Sequence, residues 1–141
     1  MDWIIYALAS TVGMAAADFC MKLAAGKVTN SLGLWLYGCT TFTIGLGWVL
    51  WQRIHNVPQH AQMHGVFSAI GVGVSFSFVV IAFYVMFAKG APISVVTPVV
   101  RLGGLLIASA AGILLLREPL TLRYVIGMVL ACMGVYLIIT R

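Results

Sequence analysis

Residues 65–88 read GVFSAIGVGVSFSFVVIAFYVMFA, without one charged side chain, and Lys89-Gly90-Ala91-Pro92 follows at once. A helix needs about 20 apolar residues to cross the hydrocarbon core of a bilayer. This stretch is long enough. The break ends it, because glycine frees the backbone and proline brings no N–H to continue a helix. Working outward, the same pattern recurs over about residues 3–25, 31–52, 92–116 and 121–140. Trp35 and Tyr37 mark one membrane interface of the second stretch, and Trp48 and Trp51 mark the other. The composition agrees: 62% of the chain is hydrophobic and 8% charged, against about 45–50% and 25% in soluble domains. Such a surface is at home in lipid, and no length remains for a globular domain. The expectation is an all-α integral membrane protein, a five-transmembrane-helix bundle forming a single transmembrane domain over residues 1–141. Ala15–Ala17 mimic a signal-cleavage site, but Asp2 stands where a signal peptide carries positive charge. The first helix is therefore read as retained; its removal would leave four.

Charge gives little orientation. With the N-terminal side as reference, Arg53, Arg117 and Arg123 fall on that side, and Lys22, Lys27, Lys89 and Arg141 on the other. A near-even tally is what a protein inserting in both orientations needs. One fixed orientation, N-terminus in the cytoplasm, is the alternative. The net charge of +5 comes mostly from helix ends, where lysine and arginine snorkel, so no nucleic-acid partner is expected. Cys20, Cys39 and Cys132 are odd in number, lack CxxC spacing and lie in apolar stretches. They read as small packing residues. His60 and His64 are four apart but have no carboxylate or thiol nearby; they read as solvated loop residues rather than metal ligands. No metal or other cofactor is expected. Three acids and no nucleophile or phosphate-binding motif leave no enzyme constellation.

The informative residues are the polar ones inside the spans. Arg101 sits near the middle of the fourth helix with no other charge there. Burying it costs at least about 2.5–3.5 kcal/mol, and its guanidinium keeps its proton. It therefore calls for a partner, a wet cavity or an anionic ligand. Asp18 is the one acid within a span. From the helix ends on a common side, Asp18 lies about 10 Å deep and Arg101 about 14 Å deep. An Asp18–Arg101 ion pair is plausible on these depths, with Lys22, one turn from Asp18, as a competing partner. Either the two charges pin two helices, or they face a cavity where Asp18 binds a cation or proton and Arg101 an anion. Tyr6 and Tyr84 supply hydroxyls for such a cavity. Pro98, one turn before Arg101, removes a helical donor and marks a kink or hinge. Gly104, Ala108 and Gly112 recur every fourth residue, and Gly127 and Gly134 line the last helix. Small stripes of this kind let helices approach closely, within one copy or across a dimer seam.

The run Leu114-Leu-Leu-Arg-Glu-Pro-Leu-Thr121, followed by Ile126-Gly-Met-Val-Leu-Ala-Cys-Met-Gly-Val135, resembles the end of an EamA-type repeat of the drug/metabolite transporter superfamily. Arg117 stands where that pattern has glycine. Ala91-Pro-Ile-Ser-Val-Val-Thr-Pro98 resembles the repeat's penultimate helix. Full-length members carry two such five-helix repeats in inverted orientation, and this chain carries one. In layout it is also similar to the small multidrug resistance proteins, in Met21-Lys22 and in the Gly127…Gly134 helix. Met14 stands at the position of their membrane-embedded glutamate, with Asp18 one turn later.

The resemblance implies a secondary transporter of a small metabolite or drug-like molecule, in the inner (plasma) membrane. An odd number of spans means that two copies in opposite orientation would reproduce the inverted-repeat plan. The expected unit is an antiparallel, dual-topology homodimer with alternating access. The alternatives are a subunit of a lipid-carrier flippase and a membrane scaffold that transports nothing.

Overall fold

The computed structural model describes residues 3–115, 117, 119 and 121–140. Asp2, Leu116, Glu118, Leu120 and Arg141 lie outside them. Five helices follow one another: α1 (Trp3–Ala24), α2 (Asn30–Ile54), α3 (Met63–Ala88), α4 (Ile93–Leu115) and α5 (Leu122–Ile139). Their ends fall within two residues of the expected ones, and all five are long and apolar enough to cross a membrane. The protein is all-helical and multi-pass. The chain divides into two compact units, Met1–Gly90 and Ala91–Arg141.

In the first unit, α3 packs against both α1 and α2. Its contact face is written in the sequence. Val80, Phe83, Tyr84 and Phe87 are all buried and are spaced i, i+3, i+4, i+7, one stripe of a helix. The stripe occupies only the last turns of α3. Asp18 near the end of α1 and Gly33 near the start of α2 are buried as well. The core of this unit therefore sits at one end, where α1 finishes, α2 begins and α3 finishes. The turn between α1 and α2 is tight. Lys27 N and Val28 N both donate to the Ala24 carbonyl, at 3.0 and 3.1 Å. Gly26 takes a φ of +77° there, a left-handed conformation that a Cβ would strain. At the opposite end, Trp3, Ile5, Phe67 and Trp48 are exposed and face lipid or another molecule.

The second unit is a helical hairpin, α4 against α5. Its turn passes through Arg117, at a φ of +55°, and Pro119. Thr121 caps α5, its hydroxyl accepting from Tyr124 N at 3.3 Å, which satisfies one of the orphan donors of a helix start. Tyr124 then reaches across: its phenol donates to Ser109 Oγ on α4. Gly112 is the buried residue of α4.

Candidate functional site

The buried end of the first unit gathers unusual chemistry for a membrane helix bundle. Asp18 is 2% exposed, in a span where an ionisable residue is expensive. One turn further, the Lys22 ammonium lies 5.4 Å from the centre of the Phe87 ring, within cation–π range. Phe87 in turn meets Phe83 edge-on, with ring centres 5.5 Å apart, the arrangement favoured by the ring quadrupoles. An acid, a cation and two aromatic rings set edge to face thus occupy adjoining turns of α1 and α3.

Tyr84 adds a close approach from α2. A Cβ built on Gly33 would lie 2.7 Å from Tyr84 Cζ, so only glycine lets α2 and the phenol ring come this near. Tyr84 is held as part of the core. Tyr6 is not: it is 74% exposed and lies about 18 Å along α1 from Asp18. The two tyrosine hydroxyls occupy different surroundings. Gly33 carries no mark in the sequence, since it is the neighbouring ring that makes it special.

In the second unit, Arg101 is half-buried on α4. It lies about 12 Å from the start of a helix about 34 Å long. Pro98 lies within α4, and having no N–H it gives the Ser94 carbonyl no helical donor. Neither Asp18 nor Arg101 is without an interacting group. The small-residue stripes behave unevenly. Gly112 is buried, whereas Ala108 is exposed. Gly104, Gly127 and Gly134 would each accept a Cβ with nothing within 4 Å.

Below the hairpin bond, Leu106, Val125, Met128, Val129 and Met133 line an open groove of about 400 Å³. Among the described residues, no group of three histidine, cysteine or acidic side chains is placed to hold a metal. The three cysteines are free thiols.

Comparison with curated proteins and with solved structures gives no match. A family model does match, the EamA-like transporter family, over residues 1–140. With five apolar spans and a match along almost its whole length, the chain belongs to the EamA-like transporter family.

Proposed function

We propose that this chain is half of a secondary transporter for a small metabolite or drug-like molecule, working in the inner membrane as an antiparallel homodimer. The observation that carries this is the buried Asp18 within a spanning helix of a transporter-family chain. A carboxylate so placed serves as a binding or coupling group rather than as a surface charge. Five spans are an odd number, so one copy alone has no inverted counterpart. A second copy in the opposite orientation supplies it, and the even distribution of lysine and arginine permits both insertions. Asp18 and Arg101 are the charges assigned to substrate and coupling ion, with Tyr84 as a supporting hydroxyl, Tyr6 at the far end of α1, and Pro98 as the hinge for alternating access. The open glycine faces, Gly104, Gly127 and Gly134, are the surfaces offered to the second copy.

Topology tests this reading. Val57→Cys and Thr140→Cys, each in a variant lacking Cys20, Cys39 and Cys132, are labelled in intact cells. Labelling of each position from both sides supports the antiparallel homodimer. Labelling from one side only overturns it. The apolar groove on the second unit favours one other reading, a subunit of a lipid-carrier flippase, which predicts one-sided labelling and a different partner chain.

A further inference from the structure

Several hydroxyls within the spanning helices are satisfied at home. Thr11, Thr41, Thr43, Ser68 and Ser77 each donate to the carbonyl one turn back, at 2.7–3.0 Å, the usual recourse of serine and threonine in a helix. Thr97 differs. Among the described residues, its Oγ1 is the one buried side-chain nitrogen or oxygen with no hydrogen-bond partner. Leaving a buried hydroxyl unmade is unfavourable, and unexplained cases point to strain or function.

Its surroundings give the orphan a use. Pro98 follows directly, so the turn that carries Thr97 lacks one of its helical bonds. Arg101 lies four residues on, on the same face of α4. Long helical side chains lean toward the N-terminus, which directs the guanidinium toward the Thr97 turn. A guanidinium has five N–H donors, so Arg101 can keep its interaction within the protein and still donate to a ligand. Its charge is permanent, and no second fixed charge lies in α4.

We propose that Thr97 and Arg101 together bind the oxyanion of the transported molecule, a carboxylate or a phosphate. Thr97 Oγ1–H donates one hydrogen bond and the guanidinium N–H groups donate the others. Charge-assisted bonds of this kind are short and strong, and arginine matches the geometry of either anion. The Thr97 oxygen is covered in this structure, so the anion reaches it when the covering side chains part. The weakened turn at Pro98 makes that movement inexpensive. The assignment rests on the transporter reading and names the substrate class for it.

The test is thermal unfolding of the purified full-length protein in detergent, with benzoate, inorganic phosphate, and benzamide as the neutral counterpart of benzoate. Wild type is compared with Thr97→Val, Thr97→Ser and Arg101→Gln. At least one anion is expected to raise the unfolding temperature of wild type, while benzamide does not. Response to benzoate alone marks a carboxylate site, and response to phosphate alone a phosphate site. Thr97→Val, nearly equal in shape, is expected to be as stable as wild type or more so without ligand, because it removes the orphan hydroxyl. It should nonetheless bind the anion about tenfold more weakly. Thr97→Ser keeps the affinity and Arg101→Gln abolishes it. Equal anion binding by wild type and Thr97→Val overturns the proposal. So does an equal response to benzamide and benzoate, or no anion response that separates wild type from Arg101→Gln. One-sided topology would remove the homodimer and leave this site standing, so the two failures are distinguishable.

Discussion

Both units are built from apolar helices of membrane-spanning length, and each is held together internally in a different way. In the first, a stripe of four large side chains on α3 makes the contacts, and three of the four are aromatic. In the second, no large side chain of the described residues is buried; the hairpin relies on the buried Gly112, the Thr121 cap and the Tyr124–Ser109 hydrogen bond. In lipid this difference matters more than in water. A side chain leaving a helix interface enters hydrocarbon, so apolar burial alone does not drive association; packing and hydrogen bonds do. The first unit is the packed one. The second is a hairpin whose faces are largely exposed.

The largest break in that contrast is expected from Phe83→Ala. Phe83 is 1% exposed and meets Phe87 edge-on, so its loss leaves a cavity where the helices pack. The expected cost is about 3 kcal/mol, the low end for a buried phenylalanine because the released surface meets lipid rather than water. Reversible unfolding in mixed micelles measures it. Phe78→Ala, on the exposed face of the same helix, should change little. An equal loss in both variants would show that α3 has no special face.

A smaller effect sharpens the same point. Gly33→Ala places a methyl against the Tyr84 ring, and overpacking of this kind costs about 1–3 kcal/mol. Pairing it with Tyr84→Ala should recover most of the loss, a non-additivity that only residues in contact show. Gly38→Ala, with nothing within 4 Å, is the control and should be neutral or slightly stabilising.

The smallest effect belongs to the second unit. Tyr124→Phe removes the bond to Ser109 and should cost about 0.6 kcal/mol, the mean for hydrogen bonds between membrane helices. A double-mutant cycle with Ser109→Ala isolates it. A coupling as large as the Phe83 effect would mean that the hairpin depends on one polar bond far more than packing suggests.

Much of this was legible in the sequence, for stated physical reasons. Runs such as residues 65–88 have only one solution in lipid, since the helix satisfies its own backbone. Lys89-Gly90-Ala91-Pro92 shows where such a helix ends, and Asp18 stands out as an acid within a span, which the structure buries. What escaped is what depends on a neighbour. Gly33 looks like any helical glycine until the Tyr84 ring is seen above it. Tyr6 and Tyr84 read alike as hydroxyls on apolar helices, yet one is exposed and the other is core. Pro98 after Thr97 marks a bend in the sequence, but nothing there shows that the Thr97 hydroxyl, unlike those of Thr41 and Thr43, makes no hydrogen bond.

The placement of Lys22 over Phe87 has a consequence for how the chain is made. Synthesis delivers α1 to the membrane first, two helices before the ring exists. Until then Lys22, in the last turn of α1, has the headgroups to reach for and Asp18 one turn back. When α3 arrives, Phe87 offers the ammonium a face of negative potential at the helix crossing. The aromatic face that meets Lys22 is therefore absent until the third helix has been made.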